Sequence, residues 1–157
     1  MPNNTNLLPE SRFIRSELII RDLALPDEVK LARKSLIRWL ALSLGLLLPN
    51  ESRRLFLDVL DVLVYYHVKN EAPTTKDIIA KLEEFTNKPP YPKAVYYHLL
   101  RLKDLGLLSR KKGRYSFGDG SGKKLNEIIK EFYSSKLSNT LVNIEEAIVK
   151  LEESYKL

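Results

Sequence analysis

Positive charge and aromatic rings are concentrated in residues 88–117, and both suit contact with a negatively charged polymer. This block holds eight lysines and arginines against a single aspartate, whereas the whole chain of 157 residues has a formal net charge of +6. The rest of the chain is therefore close to neutral. A uniformly basic surface would serve solubility alone, but a concentrated one favours a polyanionic partner.

The first half of this block has the spacing of an amphipathic helix over residues 93–105, which stops at Gly106. Its inner side is predicted to consist of Val95, His98, Leu99 and Leu102. Its outer side is predicted to consist of Lys93, Tyr96, Tyr97, Leu100 and Arg101. Lysine and arginine pair with phosphates or guanine edges, and tyrosine rings pack on sugars and thymine methyls. The outer side is therefore expected to contact nucleic acid, and the alternative for one of the two tyrosines is packing on a neighbouring helix or a dimer partner.

The second half of the block changes to the period of a β-hairpin. Residues 107–110 and 114–117 alternate in character and flank Lys111-Lys112-Gly113, where the glycine permits a tight turn. Four cations would then project from a narrow tip: Arg110, Lys111, Lys112 and Arg114. Such a group is often only a solvated turn, but its position directly behind the helix favours nucleic acid. Contacts with phosphates would weaken with salt, with a log–log slope of about −0.9 per contact.

Two further helices are predicted immediately before this block. Residues 52–69 carry apolar side chains at helical spacing, and a loop over 70–73 follows. The segment from Thr74 to Asp77 has the pattern of a capping box, in which a threonine and an acid satisfy the free amides of a first helical turn. Three helices and then a hairpin, all between residues 52 and 117, is the order of a winged helix-turn-helix.

The first fifty residues are predicted to form a helical extension. Residues 10–23 have the pattern of a short helix that breaks near Leu25-Pro26. Pro26 and the two acids after it suit the start of a longer helix over 27–47, with leucines on one side and four cations on the other. This pattern fits a membrane surface weakly and fits a helix that braces the core or extends a dimer better.

Residues 123–157 are predicted to form a helical arm with a heptad pattern. Apolar side chains recur there at alternating steps of four and three, which is typical of a coiled coil. The seam consists of Leu137, Leu141, Ile144, Ile148, Leu151 and Tyr155. Because the apolar residues upstream follow a different phase, a bend or break is predicted at residues 133–136. The regular seam favours dimerisation over folding back onto the same chain.

The segment from Ala94 to Leu108, AVYYHLLRLKDLGLL, resembles the recognition helix and first wing strand of winged-helix transcriptional regulators. It is most similar to the PadR-like group, in Tyr96, in the pair Arg101-Leu102, in the Gly-Leu before the wing and in the helical C-terminal arm. The similarity covers 52–117 well and the arm loosely; the wing is shorter than usual, and the first fifty residues have no counterpart. The resemblance implies a dimeric DNA-binding regulator in which Tyr96, Tyr97 and Arg101 face DNA.

The sequence thus predicts a mainly α chain in three parts: an N-terminal helical extension (1–50), a winged helix-turn-helix domain (51–118) and a C-terminal coiled-coil-like dimerisation helix (123–157). Helix 93–105 would lie in the major groove and the wing, 109–115, on the backbone. The expected DNA-contacting residues are Thr75, Lys76, Tyr91, Lys93, Tyr96, Tyr97, Arg101, Arg110, Lys111, Lys112 and Arg114. The expected partners are double-stranded DNA and a second copy of the chain, in the cytoplasm, with any effector unknown.

Other classes of function have little in their favour. The chain has no cysteine and only two histidines, of which His98 is expected to be a core residue bonded to backbone, so neither a metal nor a cofactor is predicted. No nucleophile elbow or phosphate loop is present, and an enzyme is not expected. The longest apolar stretch, 39–48, is half of the roughly 20 residues that span a bilayer. The alternative function is a winged-helix module for protein interaction, favoured by Leu100 on the outer side of helix 93–105.

Overall fold

The computed structural model describes residues 7–51 and 53–156. The predicted helix start at Ser52 and the outer ends of the two flanks, 1–6 and 157, fall outside them. After a 3-10 helix at Pro9–Phe13, the helices and strands are α1 (Asp27–Lys30), α2 (Arg33–Ser43), α3 (Arg54–Val68), α4 (Thr75–Thr86), α5 (Pro92–Leu105), β1 (Leu108–Lys111), β2 (Arg114–Phe117) and α6 (Leu125–Ser154). The described chain is mainly helical with a small two-stranded antiparallel sheet, which is compatible with a winged helix.

The core lies between α3, α4, α5 and the hairpin. The helices contribute apolar side chains at the predicted spacing, and Phe56, Ile78 and Leu99 are completely or almost completely buried. The hairpin adds Tyr115 and Phe117, which alternate along β2 with the outward-facing Arg114. Burial of each large apolar side chain stabilises the fold by about 1.5–3 kcal/mol, so this shared core fixes α5 and the hairpin relative to each other.

The hairpin itself is confirmed. Leu108 pairs with Phe117 at one end of the ladder and Lys111 with Arg114 at the other. Lys112 and Gly113 form the turn with φ of 53° and 77°, and positive φ at both central residues matches the twist of the two strands. The amide of Tyr115 also donates to the carbonyl of Pro73 at 2.8 Å, so the segment before α4 holds the outer edge of β2.

The start of α4 and the end of α5 are also confirmed. The amide of Asp77 donates to Thr74 Oγ1 at 3.2 Å, and the amide of Thr74 donates to Asp77 Oδ2 at 3.0 Å, as in a capping box. The hydrogen bond from the Thr74 amide, followed by the interaction with the Thr74 side chain, lowers the pKa of the Asp77 carboxyl. Gly106 follows α5 with φ of 87°, the left-handed conformation that favours glycine after a helix.

The prediction of a helix over residues 10–23 is wrong. Beyond the 3-10 helix the chain has no regular secondary structure as far as Pro26, and it lies as a strap against α2. Arg21 carries this contact: its amide donates to Ser43 O at 2.8 Å, and its guanidinium donates to the carbonyls of Leu42 and Leu47 at 2.7 and 2.8 Å. The strap thus supplies donors to the carbonyls of Ser43 and Leu47, which the end of α2 and the turn after it leave without a backbone partner. A Cβ on Gly45 would lie 2.4 Å from the Ile19 carbonyl oxygen, so this approach requires glycine.

The predicted single helix over 27–47 is interrupted. Ala32 is extended, with φ of −129° and ψ of 129°, and separates α1 from α2. The break lets α2 turn Ile37 and Ala41 into the core, whereas α1 has no buried residue. The helix then ends at Ser43, ahead of its predicted end, because the chain turns to bury Leu46 and Leu47.

Of the bend or break predicted at residues 133–136, the break is absent, because α6 is continuous from Leu125 to Ser154. Its first part packs on the core through Ile128 and Phe132. The Tyr133 hydroxyl donates to the carbonyl of Leu44 at 2.7 Å, and burial raises the pKa of this tyrosine to about 12. From Leu137 to Lys156 every residue is exposed. The change of apolar phase therefore marks the point at which α6 stops packing on the core and becomes exposed.

His98 is in the core, as predicted, but its Nδ1 has no hydrogen-bond partner among the described residues. Its ring meets those of Phe56 and Tyr97 edge to face, each at 5.5 Å between centroids. Burial, followed by the charges of Arg53 and Arg101, lowers its pKa below the ordinary 6.5. As the pH falls, His98 is therefore protonated in the unfolded chain before it is protonated in the folded chain. The stability contributed by the neutral, buried ring is present above pH 6.5 and is lost as the pH falls.

We therefore expect the melting temperature to fall from pH 8 to pH 5 and expect His98→Leu to reduce that slope. Circular dichroism melts across this range measure both. The control is His67→Leu, because His67 is a half-buried histidine in the last turn of α3. Equal slopes for the wild type and His98→Leu would contradict the assignment.

Candidate nucleic-acid interface

The outer side of α5 is open to solvent over its first two turns and beyond. Tyr96 and Tyr97 are 50% and 57% exposed, Leu100 is 52% exposed, and Lys93 is also exposed. The inner side of the same helix is buried, as its apolar spacing predicted. The helix therefore presents one lysine and two tyrosine rings outward on a rigid support.

The beginning of α5 extends this surface. Tyr91 precedes the helix as its N-terminal capping residue and is 66% exposed, and Pro92 fixes the first helical position. Lys76, in the first turn of α4, is exposed as well. Amides at the start of a helix carry partial positive charge, so a cation there adds to a favourable site for an anion.

Thr75 does not belong to this surface. Its side chain was expected to contact DNA, but the residue is 6% exposed and its Oγ1 is buried without a hydrogen-bond partner in the described chain. The reason is local: the capping role falls to Thr74, so the next side chain turns towards the core.

The wing cations remain charged and accessible. Arg110, Lys111, Lys112 and Arg114 are all exposed, and none of them forms an ion pair with a carboxylate in residues 7–51 or 53–156. Three of them are nevertheless held in place. Lys111 Nζ donates to the Asp119 carbonyl at 2.6 Å, Arg114 donates to the Ala72 carbonyl at 2.9 Å, and the Arg110 guanidinium lies 5.2 Å from the Tyr115 ring centroid. Carbonyls and rings do not neutralise the charge, so the tip stays positive.

Arg101 points away from the outer side on which it was predicted. Its Nη2 donates to the Leu46 carbonyl at 3.0 Å, its Nη1 is buried, and its guanidinium carbon lies 5.5 Å from the Phe56 ring centroid. The side chain thus joins α5 to the turn between α2 and α3. The physical reason is that this carbonyl lacks a helical partner, and a charged donor satisfies it well.

We therefore expect Arg101→Met to lower stability by about 2 kcal/mol, the scale of a lost hydrogen bond from a charged donor. Its effect on duplex affinity should be small. Urea unfolding and fluorescence anisotropy with a labelled duplex measure the two effects separately. Lys103→Met is the matched control on an exposed position of the same helix. Unchanged stability combined with lost sequence preference would show instead that Arg101 reads bases.

Lys88 is a further exposed cation that the helical-wheel reasoning left out of the candidate site. It lies between α4 and α5, outside any periodic segment. Lys88 could have been found from the sequence, because it is one of the eight lysines and arginines concentrated in residues 88–117. The exposed cations of the candidate site can pair with phosphates, and its exposed tyrosines can pack on base or sugar faces.

Within the described part of the chain, no group of three or more histidine, cysteine or acidic side chains is placed to hold a metal ion. A search of the same residues finds no helix with the length and apolar character needed to cross a membrane. Comparison with protein-family models, with curated proteins and with solved structures finds no match for this chain.

Proposed function

We propose that this chain is a homodimeric, winged-helix, DNA-binding transcriptional regulator of the cytoplasm. In this proposal α3, α4 and α5 are the three helices of the DNA-binding domain, α5 is the recognition helix in the major groove, and the β1–β2 hairpin is a wing on the backbone. One observation carries it: α5 presents two tyrosines and a lysine to solvent, and the hairpin that follows it presents four exposed cations that have no carboxylate partner among the described residues.

The direct test is binding to duplex DNA as a function of salt. A fluorescently labelled random duplex should bind at low salt with an affinity that falls steeply as salt rises, because cations displace counterions from phosphates. Selection from a randomised pool should then enrich a two-fold symmetric site. Absence of duplex binding at low salt and micromolar protein would refute the proposal.

Dimerisation through the second half of α6 is part of the proposal. All six seam residues are exposed, from 38% for Leu141 to 81% for Tyr155, and nothing else in the described chain covers them. The helix from 137 to 155 is long enough for a short coiled coil, at about 1.5 Å per residue. A second copy offers the same seam and so buries both.

The charges beside the seam favour a parallel pair. Glu145 and Glu152 follow seam residues on one flank, and Thr140 and Ala147 precede seam residues on the other. In a parallel pair each glutamate faces a small neutral residue of the other copy, whereas in an antiparallel pair glutamates face glutamates. A parallel pair also keeps both DNA-binding domains at the same end of the coil.

The absence of cysteine from the chain allows this direction to be tested by cross-linking. We expect Tyr155→Cys to form a disulfide-linked dimer on mild oxidation, because a parallel pair brings the two copies of position 155 together. A mixture of Leu137→Cys and Tyr155→Cys chains should give few mixed dimers. Non-reducing gels measure both, and mixed dimers as the main product would establish the antiparallel pair instead.

The second candidate function is a winged-helix module for protein interaction. The inward direction of Arg101 favours it, because the middle of α5 then presents Tyr97, Leu100 and Leu105 around a shallow apolar depression with little positive charge. The salt series described above separates the two functions: this second candidate predicts weak duplex binding at every salt concentration.

A further inference from the structure

A cleft of about 790 Å³ lies between the N-terminal extension and the helical core. Its walls come from α2, from the segment 47–51, from the start of α3 and from the end of α4. None of the eleven residues predicted to contact DNA lines it. The volume is within the range of about 300–1,000 Å³ that is common for small-molecule sites.

The floor of the cleft is apolar. Ile37 and Leu47 belong to the buried core, and Leu57 and Phe85 are half-buried at its edge. Apolar ligand carbon placed on these side chains would be removed from water, which favours binding. An apolar body is therefore favoured over a fully polar ligand.

The rim of the cleft has an excess of unpaired positive charge. Four cations from three segments lie on it, are exposed and form no ion pair with any described residue: Lys34, Arg38, Arg54 and Lys88. Two of the three acids in the lining are already paired. Asp61 binds Arg33 at 3.1 Å, and Glu51 binds Arg53 at 3.4 Å. Only Asp58 opposes the four cations.

We propose that this cleft binds an amphipathic organic anion, with an apolar body on the floor and a single carboxylate at the cationic rim. Guanidinium groups pair with carboxylates through two parallel hydrogen bonds, which makes Arg38 and Arg54 the principal partners. Lys34 is one helical turn from Arg38 on α2 and adds its charge to the same side. A polyanion would leave the apolar floor in contact with water. An organic cation would be repelled by the excess positive charge on the rim.

This site gives residues 1–50 a specific role. The extension contributes the apolar floor through Ile37 and the cationic rim through Lys34 and Arg38, while α3 and α4 supply the opposite wall. The strap fixes the end of α2 through Arg21, so the cleft is formed before a ligand binds. Binding is therefore expected without a large conformational cost.

Calorimetric titration of the full chain with decanoate, and with decylammonium as the matched cation, tests the proposal. Decanoate should bind the wild type at least tenfold more tightly than decylammonium. The double variant Arg38→Glu, Arg54→Glu should weaken decanoate binding by at least tenfold, whereas Asp58→Asn should strengthen it by removing the opposing charge. Lys130→Glu with Lys156→Glu is the control of equal charge change, at an exposed position of α6 and an exposed position just beyond its end.

Several outcomes would overturn the proposal. Equal binding of the two ions would do so, as would an equal loss in the rim variant and the α6 control. Loss of binding on substitution of Leu141 and Ile148 would place decanoate on the exposed face of α6 instead. If circular dichroism shows that the double variant does not fold, Lys88→Glu, on a surface connection, replaces it and should weaken binding about threefold or more. These measurements involve no DNA, so their failure is independent of the proposed regulatory function.

Discussion

Replacement of Arg110, Lys111 and Lys112 by alanine is expected to weaken binding to every DNA duplex by about a hundredfold or more near 0.1 M salt. The reason is the loss of three exposed cations at the tip of the wing. Each phosphate contact contributes about −0.9 to the log–log salt slope, so three lost contacts should flatten it by about 2.7. Anisotropy titrations with a random duplex and with a selected duplex, at four salt concentrations, measure affinity and slope together.

Arg114 is left in place in this variant because it has a structural contact as well as a charge. Its guanidinium donates to the Ala72 carbonyl at 2.9 Å, which helps to hold the hairpin against the segment before α4. The matched control replaces Lys124, Lys130 and Lys156, three exposed lysines outside the wing, and changes the net charge by the same amount. An equal loss of affinity in the control would mean that overall charge, rather than the wing, attracts DNA.

Introduction of Glu at both Leu141 and Ile148 is expected to convert the dimer to a monomer. Both residues lie in the middle of the exposed seam, 38% and 49% exposed in the single chain, and a dimer would bury them. Two charges per chain in that seam, each without a partner, make the paired state unfavourable by several kcal/mol. Sedimentation velocity at micromolar concentration measures the change directly.

The same variant tests whether dimerisation is independent of folding and whether DNA binding depends on dimerisation. The seam touches no other part of the described chain, so the melting transition of the body should remain. Affinity for a two-fold symmetric site should fall by a factor of about 10² or more, because two linked half-sites bind with high effective concentration. Asn139→Glu with Asn143→Glu, on the opposite side of α6, is the control. A wild-type chain that sediments as a monomer would end the dimer proposal.

Features that depend on neighbouring residues were readable from the sequence. The Thr74–Asp77 capping box, the left-handed Gly106 after α5 and the Lys112-Gly113 turn each involve a few adjacent residues with specific backbone requirements. The burial of one side of α5 followed from apolar spacing, because a helix repeats every 3.6 residues whatever surrounds it. The concentration of positive charge in residues 88–117 and the outward position of Tyr96 and Tyr97 were predicted in the same way, from composition and helical spacing.

Features that depend on distant partners were not readable. Arg101 has the spacing of the outer side of α5, yet its guanidinium is drawn inward by the carbonyl of Leu46, 55 residues away. Tyr133 bonds Leu44 across 89 residues, and α6 is continuous where a bend or break was expected. Arg21 holds a strap without regular secondary structure where residues 10–23 had a helical pattern.

The sequence by itself therefore determined α3, α4, α5, the hairpin and the location of positive charge, since these follow from backbone preferences and side-chain periodicity. Only the tertiary structure decided which of those charges face solvent, which are used to satisfy carbonyls, and that α2 closes a cleft over α3 and α4. The physical reason is that a polar group at the end of a helix takes whichever partner the packed chain brings near, and no local spacing records that partner.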